Sequence, residues 1–250
     1  VNSSSVPDPR YEIYRAVGFY VYGLRTNYGS SSLLHLPEID RFVDSTTGGM
    51  RIEAHTAAIQ EGEGVFKSFL GNAHYIKISN VNRNNHPRLM GTILHEMGHY
   101  TQFWIHRGYN HYNDIPKLLK ESWASYAGWY MGELYYSVQR LLPIPFEDDI
   151  TRQARQSWHP AMANPYYYYS PLFVDLRDNY NQCECLNNSR YANDAIKNVP
   201  YSLINKLARE SSWTGVKKVL REHISSGYYT ETQLNDFLVQ WDKYFAANPL

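Results

Sequence analysis

The first apolar pattern in the chain recurs at helical spacing and predicts a helix that starts near residue 9. Its members are Tyr11, Tyr14, Val17, Val21 and Leu24. Asp8 is placed to cap this helix, and Pro9 falls in its first turn, where proline is tolerated. A strand over Val17–Tyr22 is the alternative, because β-branched and aromatic residues cluster there.

Two later segments have the pattern of β-strands. Met50–Ile59 follows a Thr-Thr-Gly-Gly turn signal. In His74–Ile78, apolar and polar side chains alternate, as they do in a strand with one buried face. The part of the chain before residue 86 is therefore expected to be mixed α/β.

From residue 86 onward the apolar spacing is mainly helical. Pro87 lies in the first turn of a long helix that runs to about Ile105, and Asp114 precedes a second helix that reaches about Gln139. Further helices are predicted near 171–179, 201–210, 213–223 and 231–247, with a capping box of Thr230 and Gln233 before the last.

These elements predict an α+β protein in two halves. We expect a linker over 1–10, a mixed α/β subdomain over 11–108 and a mainly helical subdomain over 109–250. A cleft between the halves would lie close to the two long helices.

The composition fits a protein with a buried core and narrows the range of partners. Of the 250 residues 43% are hydrophobic, and 24 basic residues balance 24 acidic ones. Nucleic-acid-binding domains usually carry a basic excess, so no nucleic-acid partner is expected. No run of about 18 apolar residues occurs, so no transmembrane helix is expected.

The two cysteines and the first residues of the chain bear on its cellular location rather than on its chemistry. Cys183 and Cys185 are separated by one residue and are interpreted as unpaired structural thiols. The polar segment after Val1 resembles a linker left when an upstream segment is removed, and on that basis we expect a secreted or surface-anchored protein.

The segment His95-Glu96-Met97-Gly98-His99 carries the clearest chemical signal. Residues four apart on a helix point the same way, so the two imidazoles can bind one metal ion. In this HExxH motif the glutamate is the general base for a water molecule that zinc activates. Because roughly 0.02 matches are expected by chance in such a chain, the motif predicts a zinc site with His95 and His99 as ligands and Glu96 as base.

A catalytic zinc site needs a third protein ligand, and Glu121 on the next predicted helix is the leading candidate. A loop of about six residues lets that helix fold back on the first. Ala124, Ala127 and Gly128 are small, which would allow the two helices to approach closely. Ser125, one turn after Glu121, is a candidate hydrogen-bond partner for a liganding histidine.

Three other residues are alternative third ligands. His106 and His111 fall at the predicted helix end and in the loop, and neither matches the spacing of the longer metzincin motif. Glu133 lies too far along its helix if the connecting turn is tight.

This pattern resembles the gluzincin clan of zinc metallopeptidases. Glu121–Tyr126 is similar to the E-G-x-A-x-Y segment of aminopeptidase-type members, and His95–Gln102 to the HExGHxxQ form of enhancin-like, mucin-directed members. The resemblance covers Pro87–Met131 and implies a zincin-like fold in which His95, His99 and Glu121 bind zinc. Residues 48–52 lack the asparagine of the exopeptidase G-x-M-x-N strand, which favours an endopeptidase.

The resemblance also implies further site residues in the helical half. Gluzincins stabilise the oxyanion with a tyrosine or histidine, for which Tyr169 and His159 are the candidates. It makes His74–Ile78 the edge strand along which an extended peptide adds. Part of the excess of 23 tyrosines is then interpreted as groove lining, by Tyr75, Tyr166, Tyr167 and Tyr168, with Tyr100 and Tyr126 also beside the site.

The sequence therefore predicts a zinc-dependent peptidase that cleaves a peptide or protein, with glycoproteins among the expected substrates. The alternative is a catalytically inactive module that binds peptide or glycoprotein on a metallopeptidase scaffold. A hydrolase of non-peptide amides is a third interpretation, and no oligomeric state is predicted.

Overall fold

A computed structural model describes residues 9–20, 51–54, 64–67, 75–79, 86–106, 109–138, 172–177 and 195–247. Within these ranges the protein is α+β, with helices predominating over one small sheet. The helices are α1 (Pro9–Gly18), α2 (His86–Ile105), α3 (Tyr109–Asn113), α4 (Lys117–Val138), α5 (Leu172–Asp175), α6 (Tyr201–Leu207), α7 (Trp213–Glu222) and α8 (Glu231–Ala247). The strands are β1 (Arg51–Ala54), β2 (Gly64–Lys67) and β3 (Tyr75–Ile78).

The sheet has the order β1-β3-β2, so β3 lies in its centre. It pairs in parallel with β1 and antiparallel with β2, and Ile76 stands opposite both Ile52 and Phe66. The prediction that His74–Ile78 forms an edge strand is therefore wrong, because β3 is paired on both sides. Among the described strands, the one at the border next to α2 is β2, which the sequence does not predict because Gly-Val-Phe-Lys places two apolar residues side by side and does not alternate.

The first helix is confirmed, and the alternative strand is wrong for residues 17–20, which continue the helix through a short π-helical turn. Tyr20 at its end is fully buried, and its hydroxyl hydrogen-bonds with Thr101 on α2. The Thr101 hydroxyl also lies 2.8 Å from the Met97 carbonyl oxygen. These contacts fix α1 against the middle of α2.

Close packing of α2 against α4 is the main feature of the core. A methyl group added at Gly98 would lie 2.9 Å from the Ala124 Cα and 2.9 Å from the Ala127 Cβ. At Gly128 it would lie 3.2 Å from the His95 backbone nitrogen. The predicted close approach at small residues is confirmed. Gly98 lies beside Ala124 and the earlier residue His95 lies beside the later residue Gly128, so α2 and α4 are antiparallel.

The last helices contact this pair through the ring of Tyr201, whose centroid lies 4.4 Å from that of Tyr130. Ser212 caps α7 by accepting a hydrogen bond from the Gly215 backbone N–H at 3.1 Å. The predicted capping box of α8 is confirmed, since the Gln233 N–H donates to Thr230 Oγ1 and the Thr230 N–H donates to Gln233 Oε1. None of the described helices is long and apolar enough to cross a membrane. Residues 1–8 and both cysteines lie outside the described residues.

Candidate metal centre

Two histidines on one face of α2 form the first part of the site. The rings of His95 and His99 lie one helical turn apart, with centroids separated by 4.8 Å and planes at 88°. Both side chains are mostly buried, at 13% and 10% exposure. The expectation that the HExxH spacing puts two imidazoles side by side is confirmed.

Glu121 on α4 faces both histidines. Its Oε2 lies 3.3 Å from the Nε2 of His95 and 3.3 Å from the Nε2 of His99. These separations exceed a well-formed hydrogen bond, and the buried Oε2 has no hydrogen-bond partner of good geometry among the described residues. Within that part of the chain, these three residues form the one group of side-chain donor atoms that could hold a metal ion.

The helix contact explains how Glu121 reaches the histidines. Because α2 and α4 touch at Gly98 and Gly128, a short carboxylate can span the remaining gap. Trp123 is buried on the same helix, and its indole N–H donates to the Gly98 carbonyl at 3.1 Å. Burial disfavours the charged form of Glu121, but the neighbouring His99 and His95 outweigh it and hold its pKa well below the usual range. The carboxyl is therefore ionised at neutral pH and able to bind a cation.

Glu96 lies next to this group and is 5% exposed. Its carboxylate accepts a hydrogen bond from the backbone N–H of Phe66 on β2. Burial raises the pKa of Glu96 to about 7; His95 and the Phe66 N–H lower it, whereas Glu121 adds to the increase. A carboxyl with a pKa near neutrality can both take up and release a proton at that pH, as a general base must.

Tyr112 on α3 is a site residue that the sequence does not reveal. Its hydroxyl oxygen lies 3.1 Å from Nδ1 of His99. Burial raises the pKa of Tyr112 well above its usual value, and Glu121 and Glu96 raise it further, so the hydroxyl stays protonated. The only hint in the sequence is the excess of tyrosine, which does not single out one residue among 23.

Ser125 does not make the predicted contact with a histidine. It is buried on α4, and its hydroxyl has no hydrogen-bond partner among the described residues. The residue that does reach a histidine Nδ1 is Tyr112, which comes from α3 rather than from the helix of Glu121. One helical turn from Glu121 places Ser125 on the right helix, but its hydroxyl makes no hydrogen bond to an imidazole of the described residues.

The alternative ligands and the tyrosines take other positions. His106 is buried at the end of α2, where its Nε2 lies 2.9 Å from the Ala208 carbonyl oxygen, and His111 is exposed on α3. Tyr100 and Tyr126, expected beside the site, are 2% and 1% exposed and therefore belong to the core rather than to a groove surface.

The remaining candidates are only partly described. Tyr75 is half-buried on the central strand β3, with the Lys77 ammonium 5.3 Å from its ring centre. His159, Tyr166, Tyr167, Tyr168 and Tyr169 lie outside the described residues, as does the side chain of Glu133.

Comparison with family models, with curated proteins and with solved structures found no match.

Proposed function

We propose that the protein is a zinc metallopeptidase of the gluzincin type and that His95, His99 and Glu121 bind the ion. The observation that carries the proposal is the convergence of two Nε2 atoms on one buried carboxylate oxygen, each at 3.3 Å. Zinc–ligand bonds of about 2.0–2.1 Å in a tetrahedron place neighbouring ligand atoms about 3.3 Å apart. The two separations from Glu121 Oε2 agree with this value, and the three donor atoms all lie within 4.8 Å of one another.

The chemistry of the three donors also supports zinc. Imidazole nitrogen and carboxylate oxygen are common zinc ligands, and a His₂Glu set with one open position is typical of catalytic rather than structural sites. The buried Oε2 of Glu121 has a lone pair that no well-formed hydrogen bond from a described residue uses. An ion at this point would satisfy it.

Glu96 is the proposed general base. When bound, zinc would supply a Lewis acid that polarises the scissile carbonyl and lowers the pKa of a water molecule to about 7. Glu96 takes the proton from the attacking water and delivers it to the nitrogen of the leaving amine. The Phe66 N–H fixes the carboxylate during both transfers. Tyr169 and His159 remain the proposed donors to the oxyanion.

A polypeptide is the proposed substrate, and β2 replaces β3 as the strand that would receive it. The Phe66 N–H bonds to Glu96, so it points away from β3. In an antiparallel pair the N–H and C=O of one residue point to the same side, so the Phe66 carbonyl also points away from β3. An extended peptide could donate a backbone N–H to this carbonyl and so lie beside the base, while the Phe66 N–H stays bonded to Glu96.

Metal analysis of purified variants tests the ligand set. Wild-type protein and the exposed-carboxylate control Glu222→Gln should retain one zinc ion per chain after dialysis, whereas Glu121→Ala should lose it because only two ligands remain. A Glu121→Ala protein that keeps stoichiometric zinc would remove Glu121 from the site.

Peptide-library digestion tests the activity separately. Glu96→Gln should keep zinc and lose cleavage, because the amide cannot accept the proton. Cleavage at the wild-type rate by this variant would refute the role of the base. A wild-type protein that binds zinc but leaves every peptide intact would favour the inactive binding module instead.

A further inference from the structure

We propose that Tyr112 is a positioning residue for the metal centre and that its hydroxyl sets the orientation and tautomer of His99. This inference depends on the proposed function, because it assigns a partner to one of the proposed ligands. It starts from the 3.1 Å separation between the Tyr112 hydroxyl oxygen and His99 Nδ1.

The Tyr112 ring is fixed by its neighbours. The residue is 7% exposed, and its ring makes edge contacts with Phe66 at 6.1 Å and Phe103 at 5.6 Å between centroids. The Lys120 ammonium lies 5.1 Å from the ring centre. With these contacts in place, the hydroxyl is directed at His99 by packing rather than by its own hydrogen bond.

The contact has a consequence for the tautomer of the imidazole. A neutral imidazole has one N–H, and a ring that binds metal through Nε2 must carry it on Nδ1. In that state the Nδ1–H donates to the Tyr112 oxygen. Without metal, an Nε2–H can face Glu121 Oε2 while Nδ1 accepts from the Tyr112 hydroxyl. Because a hydroxyl both accepts and donates, Tyr112 satisfies His99 in either state.

Phenylalanine would keep the ring contacts but not the hydroxyl. In Tyr112→Phe, the Nδ1–H of metal-bound His99 would then be buried beside the edge of the phenylalanine ring, without the hydroxyl as acceptor. Loss of such an outer partner commonly weakens metal binding by about 10–100-fold. The expected effect is on zinc binding rather than on the packing of the apoprotein.

The test measures the zinc dissociation constant of the full chain by competition with a chromophoric chelator. Tyr112→Phe should bind zinc about 10–100-fold more weakly than wild type. The matched control is Tyr229→Phe, since Tyr229 is 4% exposed and its hydroxyl donates to the Leu220 carbonyl at 2.7 Å, far along the chain from the proposed ligands. It should lower the melting temperature and leave the zinc affinity unchanged. Equal affinity in Tyr112→Phe and wild type would overturn the proposal.

A second measurement does not require a variant to fold. Long-range ¹H–¹⁵N correlation spectra of the zinc-loaded wild type should show His99 protonated at Nδ1, and a His99 protonated at Nε2 would overturn the proposal. A wild type that binds no zinc would refute the proposed function. A wild type that needs Glu121 for zinc but tolerates Tyr112→Phe would refute this inference alone.

Discussion

Gly98→Ala is the substitution that most directly tests how the site is built. The added Cβ would lie 2.9 Å from the Ala124 Cα and 2.9 Å from the Ala127 Cβ. Non-bonded carbon atoms prefer about 3.5–4.0 Å, so α2 and α4 would have to separate by about 0.6–1.1 Å at this point. Because zinc–ligand distances vary by only about 0.2 Å, Glu121 on the displaced α4 could reach the proposed ion only with strain.

The same substitution has two opposing effects on stability. Overpacking of a core costs about 1–3 kcal/mol, whereas alanine is favoured over glycine in a helix by about 1 kcal/mol. We therefore expect the metal-free protein to lose about 0–2 kcal/mol. Zinc affinity should fall at least about tenfold, which is the size of effect expected when one ligand loses a supporting contact.

Urea unfolding in chelator and zinc competition measure these two effects separately. Gly18→Ala is the matched control, because a Cβ added there meets nothing within 4 Å, and its zinc affinity should equal that of wild type. If Gly98→Ala binds zinc as tightly as Gly18→Ala, the close contact between α2 and α4 does not control the position of Glu121.

Three further predictions concern charge, capping and metal. Burial raises the pKa of Glu96 above its unfolded value, so its contribution to stability is present at low pH and is lost as the pH rises through about 7. In chelator, the free energy of unfolding of Glu96→Gln should therefore rise relative to wild type by about 3 kcal/mol between pH 4 and pH 8, as urea unfolding can measure. Parallel pH profiles would contradict the assigned pKa. Thr230→Ala removes the acceptor for the Gln233 N–H and should cost about 1 kcal/mol, whereas the exposed Thr232→Ala should cost less; equal losses would reject the capping box. Zinc at about 100 times its dissociation constant should stabilise wild type by about 2.7 kcal/mol and Glu121→Ala much less, as thermal unfolding can show.

Local patterns in the sequence predict the long helices and much of the candidate site. His95 and His99 lie four residues apart on one helix, so their spacing alone predicts that the two imidazoles point the same way. The small residues Ala124, Ala127 and Gly128 indicate the close helix contact that brings Glu121 near them. Thr230 and Gln233 are likewise a short-range signal, which the hydrogen bonds of α8 confirm.

The contacts that the sequence does not predict are those between separate elements. Strand β2 has no alternation of apolar and polar residues, and only its pairing with β3 defines it. Tyr112 reaches His99 across a change of helix, and no spacing rule relates the two positions. Ser125 shows the same limit: its position one turn from Glu121 predicts the helix face on which it lies, but not whether its hydroxyl bonds to a histidine.

Phe66 combines two roles that belong to different parts of the residue. Its backbone N–H bonds to Glu96, and any amino acid except proline could supply that donor. Its ring packs against Tyr112, Tyr100 and Phe103, which only another large apolar side chain could reproduce. In functional variants of this chain, aromatic residues should therefore be found at position 66 and proline should be absent. Small residues should occur there only when the neighbouring aromatic residues change as well.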